Sequence, residues 1–336
     1  MPESIRFVIE EASRTAEVRR AASGLARDLG LDEEGAAQVA IVVTEASTNV
    51  LKYGGGGEIL LRLAGDDPQA RPELEALALD RGPGMPNLTQ CMEDGFSTGG
   101  SPGQGLGAIT RLSSASDVYS DLSRGTALLA RWWKGSNNGH GGLALRAGAV
   151  NVRKPGQEVC GDSWGIVQSG QECVVMVADG LGHGLEAKTA SLEAVRMLHQ
   201  HSELAPGELL ERTHQALRSS RGAAVAVARI DRTEGSLTYA GMGNIAGQIY
   251  TGARPGQHLV SINGTAGHTA SRIREFKYAW PDHGMLVLHS DGLSTGTSLD
   301  AYPGLALRDP ALIAGVLYRD FSRGNDDSTV VVVKAA

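Results

Sequence analysis

Apolar positions along this chain repeat with two periods, and acids and glycines mark the places where one period gives way to the other. From Asp32 to Tyr53 the apolar residues recur at helical spacing, which predicts an amphipathic helix. Leu74-Glu75-Ala76-Leu77-Ala78-Leu79 alternates instead, as a half-buried strand does, and runs straight into Asp80-Arg81-Gly82-Pro83-Gly84. Gly103-Gln104-Gly105-Leu106-Gly107 opens the apolar segment Ala108 to Leu112, which predicts a glycine loop at a helix start. In the second half Val174 to Ala178 leads into Asp179, and Met285 to His289 leads into Asp291. Asp326 comes at a turn just before the run Val330 to Val333, so three β-rich segments each deliver a carboxylate to one rim. Leu185 to His201 and Gly207 to Ser219 read as packing helices.

Composition agrees with a two-domain enzyme. At 336 residues the chain exceeds the size that one core usually serves. Hydrophobic content is 41% with only 4% aromatic, so Val, Leu and Ala must do most of the packing. A net charge of −7 without a basic tract argues against a nucleic-acid partner, whose phosphates demand clustered Lys and Arg. No apolar run approaches the ~20 residues needed to cross a bilayer, and Glu3, Arg6, Glu10 and Glu11 interrupt any signal-peptide core. Cys91, Cys160 and Cys173 are odd in number and lack metal-type spacing, as expected of reduced thiols. The expectation is a cytoplasmic protein with no membrane partner. The stretch Lys134-Gly135-Ser136-Asn137-Asn138-Gly139-His140-Gly141-Gly142 neither buries apolar area nor favours regular structure, and predicts a flexible linker over 135–142. Its shortness keeps the flanking domains, 1–134 and 143–336, in contact even if that contact is weak.

Four acidic segments stand in order in the second half: Gly161-Asp162, then Asp179-Gly180-Leu181-Gly182-His183-Gly184, then Ser290-Asp291-Gly292, then Asn325-Asp326-Asp327-Ser328-Thr329. Any one Asp-Gly pair is ordinary turn chemistry. As an ordered set, with Ala240-Gly241-Met242-Gly243-Asn244 and Gly264-Thr265-Ala266-Gly267 between them, they resemble the metal-dependent protein phosphatases of the SpoIIE and RsbX branch, relatives of protein phosphatase 2C. The resemblance implies an α-β-β-α sandwich of the PPM type. It also implies that Asp179 bridges two Mg²⁺ or Mn²⁺ ions, that the Gly180 carbonyl adds a ligand, and that Asp162, Asp291 and Asp326 complete the pair. Hard divalent cations take such oxygen ligands and can activate a water for phosphate hydrolysis. His183, between two glycines, suits a loop hydrogen bond as well as proton donation. Asp327 is left outside the implied ligand set.

The first half carries a different signature. Glu45 and Asn49 are four apart in Thr44-Glu45-Ala46-Ser47-Thr48-Asn49, so both project from one helix face, roughly 5–6 Å apart at Cβ. A dinucleotide-binding reading of the later glycine loop would want a strand directly before it, whereas Glu93 to Pro102 reads as a polar loop. The three blocks in order resemble the Bergerat-fold (HATPase_c) ATPases of histidine kinases, gyrase and MutL. The short lid Gly95-Phe96-Ser97-Thr98-Gly99-Gly100 and the closing Gly125-Thr126-Ala127-Leu128-Leu129-Ala130-Arg131-Trp132-Trp133 place it with the switch kinases and anti-sigma factors RsbT and RsbW. That resemblance implies a mixed sheet covered by helices on one face. It implies further that Asn49 holds Mg²⁺ against the phosphates of ATP, and that Asp80 accepts a hydrogen bond from the adenine amino group. By the same resemblance Gly82, Gly84, Gly103, Gly105, Leu106 and Gly107 would lie against the nucleotide, Thr126 would support the adenine side, and Glu45 would be the general base toward a serine or threonine hydroxyl.

Together the resemblances imply an α/β fusion of a serine/threonine switch kinase with a protein phosphatase. They imply as target a STAS-domain antagonist of the RsbS type in a partner-switching or stressosome pathway of sigma-factor regulation. Two other arrangements carry the same motifs: a phosphatase governed by a non-catalytic ATP-binding module, and a sequestering anti-sigma factor fused to a phosphatase.

Overall fold

The helix foreseen around Glu45 starts where its first residues demand. Asp32 Oδ1 accepts a hydrogen bond from Gly35 N at 2.8 Å, and Glu33 and Glu34 occupy the first turn, at the positive end of the helix dipole. This helix, α2 (Glu33–Lys52), buries Ala36, Val39, Val43, Ala46 and Val50. In the computed structural model, which describes residues 3–65, 71–88, 105–135, 145–251, 255–269 and 272–335, it packs beside α1 (Ala12–Asp28) and α3 (Gly105–Leu112). The three cover one face of a five-stranded sheet with order β1-β2-β3-β5-β4. Its strands are β1 (Ile5–Ile9), β2 (Gly57–Ala64), β3 (Glu73–Asp80), β4 (Ala115–Asp121) and β5 (Gly125–Trp133). A mixed sheet was expected; every described pairing here is antiparallel. The helical hairpin α1–α2 crosses the sheet twice and so returns the chain antiparallel to β1. β3 and β4, joined through α3, do run the same way, but β5 lies between them.

The second half supplies two further sheets, packed face to face over Trp164, Val175, Val177, Tyr239, Leu286 and Val331. One has the order β13-β10-β9-β8-β7 and the other β12-β11-β14-β15-β6. In chain order the strands are β6 (Leu145–Val152), β7 (Asp162–Ser169), β8 (Glu172–Gly180), β9 (Ala223–Asp231), β10 (Ser236–Met242), β11 (Ala246–Tyr250), β12 (Gln257–His258), β13 (Phe276–Ala279), β14 (Met285–His289) and β15 (Ser328–Ala335). Helices α4 (Leu185–Gln200) and α5 (Pro206–Ala216) cover the first sheet, and α6 (Pro310–Phe321) covers the second, giving the expected α-β-β-α order. The helix foreseen to Ser219 changes at its end: α5 stops at Ala216, and Leu217–Ser219 tightens into a 3₁₀ turn.

Helix α6 left no amphipathic signal, because every residue from Pro310 to Arg319 is buried. One side rests on β6 and β15, and the other on the open face of the first-half sheet. Leu60, Leu77, Leu79 and Leu129 thus share one core with Ile313, Leu317, Val150 and Val332. Gly315 permits this approach, since a Cβ there would stand 3.3 Å from the methyls of Leu77 and Leu79. The two halves are joined by a continuous core, a closer contact than a short linker alone would give.

A buried charge seam runs along it. Arg131 grips Asp309 through two bonds of 2.6 and 2.8 Å and donates to Glu75 at 2.8 Å, while Arg62 Nε donates to Glu75 at 3.0 Å. Asp309 also caps α6 by accepting from Ala311 N at 2.9 Å. Burial would raise the Asp309 carboxyl, but Arg131, Arg146 and the Ala311 N–H together hold it below its ordinary range. Asp309→Ala takes from Arg131 its forked partner, leaving it Glu75 and Glu73, and takes from α6 its cap; we expect it to cost about 3–5 kcal/mol of stability, read by denaturant unfolding.

Residues 136–144, which hold most of the expected linker and His140, lie outside the described residues, as do the lid 95–100, Cys91 and Gly103. Among the described residues no helix is long and apolar enough to cross a membrane.

Candidate active sites

Glu45 and Asn49 lie one turn apart on α2, each partly exposed on a helix otherwise well buried. The start of α3 comes to them: a Cβ on Gly105 would stand 3.6 Å from Asn49 Nδ2. Leu106 and Gly107 follow in the first turn of α3, Gly107 buried. Asp80 closes β3, and its Oδ1 accepts from Gly82 N at 2.8 Å and Thr126 N at 3.1 Å. Burial pushes the Asp80 carboxyl up, opposed by those two N–H groups and by Arg319. Oδ2 is then the oxygen left to meet a ligand. Gly82 and Gly84 are spaces as much as residues, since a Cβ would meet Tyr53 O at 2.7 Å and Asp121 O at 2.3 Å. Thr126 and Ser120 share a hydroxyl contact of 3.1 Å, and Ser120 Oγ accepts from Met85 N at 2.8 Å, tying the Gly82–Gly84 turn to β4. Gly125 opens the closing motif, but the motif gave it no role at the nucleotide. It has φ +88°, and a Cβ there would stand 2.4 Å from the Asp80 carbonyl.

The four acids of the second half meet at one end of the sandwich, two from each sheet. Asp162 and Asp179 are direct partners across the β7–β8 ladder. Asp291 follows β14 and Asp326 precedes β15, neighbouring strands of the other sheet. Burial pushes the Asp162 carboxyl up to about 7, and the charge of Asp327 adds to it. Asp179 is pushed up to about 9, by burial first and then by the charges of Asp162, Asp291 and Asp326. Asp291 is raised by burial and by Asp326. Such mutual repulsion is the field that a divalent cation reverses. Asp162 Oδ2 is buried without a hydrogen-bond partner, so an oxygen ligand stands ready at the centre. Among the described residues no three of these acids stand close enough to hold an ion unaided by movement. The donor set, all oxygen and strongly anionic, fits Mg²⁺ or Mn²⁺. Gly180 lies under α4, where a Cβ would stand 2.0 Å from Ala187 O.

Three further residues organise this rim. Asp327, only 5% exposed, accepts from Lys154 N at 2.7 Å and from Gly161 N at 2.9 Å, and so pins the loop that enters Asp162. Adjacent acids entering a strand point to opposite sides, which is the signal that separates Asp327 from Asp326. Asn151 Nδ2 donates to the Asp162 carbonyl at 3.3 Å and to Thr329 Oγ1 at 2.9 Å. Asn244 Nδ2 donates to Asp291 Oδ2 at 2.7 Å, which gives the Gly243-Asn244 turn its purpose. His183 is exposed. Cys160 is fully buried, and burial raises its thiol well above the ordinary value, so it is no thiolate ligand.

A cleft of about 520 Å³ between the halves is lined by Gly54, Asp80, Tyr318, Arg319, Ser322 and Asp326, bringing the two sites within reach of one opening.

Against known proteins, the family model described as Stage II sporulation protein E (SpoIIE) matches residues 169–336, and that of the Histidine kinase-like ATPase domain matches 9–132. The serine/threonine-protein kinase RsbT of Bacillus subtilis (strain 168) is 32% identical over 115 residues, 34% of this chain and 85% of RsbT. The phosphoserine phosphatase RsbX of the same organism is 24% identical over 143 residues, 43% of this chain and 72% of RsbX. A solved structure described as "The bacterial stressosome: a modular system that has been adapted to control secondary messenger signaling" superposes with a TM-score of 0.53 at 25% identity, covering 56% of this chain and 99% of that one. RsbX in complex with magnesium superposes with a TM-score of 0.50 at 20% identity, over 57% of this chain and 96% of its own, and shows the same fold.

Proposed function

We propose that this chain, which belongs to the Stage II sporulation protein E family through its second half and to the histidine kinase-like ATPases of the RsbT kind through its first, is a two-way regulator of a partner-switching pathway. The first domain transfers phosphate from ATP to a serine or threonine of a STAS-domain protein; the second removes it. Both act in the cytoplasm, the target being an RsbS-like antagonist. The observation that carries the reading is the convergence, in one chain, of Asn49, one turn from Glu45, against Gly105 with four acids meeting at the end of a sandwich.

In the first domain Asn49 would hold Mg²⁺ beside the phosphates of ATP, and Asp80 Oδ2 would accept from the adenine amino group. Glu45 takes the proton of the attacking hydroxyl. The glycines let main-chain N–H groups approach the phosphates. In the second domain Asp162, Asp179, Asp291, Asp326 and the Gly180 carbonyl hold two Mn²⁺ or Mg²⁺ ions. Held there, such ions would provide the chemistry of an activated water and of charge neutralisation at a bound phosphate. Asp327, Asn151 and Asn244 hold the ligands in place.

Transfer from γ-labelled ATP to an RsbS-like STAS protein, with Mg²⁺ and Mn²⁺, tests the pair: label should appear and then decline as the phosphatase removes it. Absence of label, together with loss of phosphate from a pre-phosphorylated target, would instead support a phosphatase with a regulatory ATP module. A further expectation concerns Asp327→Ala, which frees Gly161 N and Lys154 N. It should weaken Mn²⁺ binding about 10–100-fold, measured by titration calorimetry, while leaving labelling by the first domain intact.

A further inference from the structure

Helix α6 ends between the two sites, and its terminal carbonyls are satisfied from both sides. An α-helix leaves its last carbonyls without partners of its own. Here Arg319 O accepts from Arg81 Nη2 of the first domain, while Phe321 O accepts from Ser294 N of the second at 2.9 Å. Two arginines at this negative helix end also suit its dipole. The side chain of Arg319, 4% exposed, lies in a forked pair with Asp320 at 2.9 and 2.8 Å. Its remaining nitrogen Nη1 crosses to the Asp80 carbonyl at 2.9 Å. That carbonyl is already pressed by Gly125, so the Asp80 main chain is held from two directions. Asp320 in turn accepts from Tyr302 OH at 3.0 Å, and the Arg124 guanidinium, one residue before Gly125, sits 4.6 Å from the Tyr302 ring centre.

The same helix end holds the rim of acids. Ser322 bridges to Leu293, and Arg323 N donates to Gly292 O at 2.9 Å, immediately after Asp291. Ser322 Oγ meets Ser328 Oγ at 3.2 Å, just beyond Asp326. A single rigid element is thus fixed at one point to Asp80 and at others to the segments carrying Asp291 and Asp326.

We propose that Arg319 is a positioning residue through which the adenine-nucleotide pocket and the divalent-cation centre are thermodynamically coupled. This rests on the reading of both sites given above. A ligand that engages the Asp80 carboxylate shifts the main chain that Arg319 holds, and the displacement reaches Asp291 and Asp326 through the end of α6. Coupling of binding is reciprocal, so the factor by which nucleotide changes cation affinity must equal the factor by which cation changes nucleotide affinity.

The test uses the full chain and calorimetric titration at buffered free metal, with ADP and Mn²⁺ as probes, and the coupling factor is read with adenosine, which offers its adenine to Asp80 but has no phosphates to chelate Mn²⁺ beside Asn49. ADP should bind and be lost in Asp80→Ala, and Mn²⁺ should bind and be lost in Asp179→Asn; these arms test the site assignments. In the wild type each ligand should change the dissociation constant of the other by the same factor, in the range of about 5–150-fold. Arg319→Lys keeps the charge but loses the fork, and should bind each ligand alone while the coupling factor falls to about 1. Arg81→Ala, at an exposed side chain, should reduce the factor without disturbing the core. Two ligands that bind independently in the wild type would overturn the coupling and leave the sites standing. A factor unchanged in a folded Arg319→Lys would overturn the role of Arg319, and failure of ADP to bind would overturn the nucleotide site and the coupling with it.

Discussion

Asp179→Asn is expected to abolish dephosphorylation while leaving the protein folded. The substitution removes the carboxylate that faces Asp162, Asp291 and Asp326 and that, on the proposed reading, would help hold the cations. Loss of several kcal/mol of charge stabilisation corresponds to about 10³-fold in rate. Phosphate release from a phosphorylated STAS protein at saturating Mn²⁺ measures it. Metal-free stability should move the other way. A carboxyl raised to about 9 in the folded state binds a proton that the unfolded chain releases near its ordinary value, about 4. Its contribution to stability is therefore present below about pH 4 and is lost as pH rises through about 9. Asparagine has no such proton, so metal-free Asp179→Asn should show a flatter fall of stability between those limits. A variant as active as the wild type would remove Asp179 from the metal centre.

Glu45→Ala should lower phosphate transfer by about 10²–10⁴-fold, the usual worth of a positioned general base, with ATP affinity little changed. The side chain lies beside Asn49 on the partly exposed face of α2, away from the Asp80 end where adenine is proposed to bind. Asn49→Ala, by contrast, should weaken ATP binding and transfer together. Single-turnover labelling beside equilibrium nucleotide binding separates the two outcomes. Equal losses of binding and transfer in Glu45→Ala would make Glu45 a binding residue. Unchanged transfer would leave the first domain as a binding module.

Local chemistry was enough to read the elements that present these residues. A capping aspartate and a helical stripe determine α2, and alternation determines β3 up to Asp80. The order of the acids carries the phosphatase half, because ligand types and turn glycines are written in short segments that keep their meaning out of context. The antiparallel pairing of the first sheet was not legible in the same way, since it follows from how many helices cross it. Nor was α6: a helix buried on all sides shows no polar face, and only two sheets from distant parts of the chain explain its apolar surface. Asp327 and Arg319 look like surface residues in the sequence. Their roles as the anchor of the Gly161 loop and the clasp on Asp80 come from partners 166 and 239 positions away, which only the tertiary fold brings within hydrogen-bond distance.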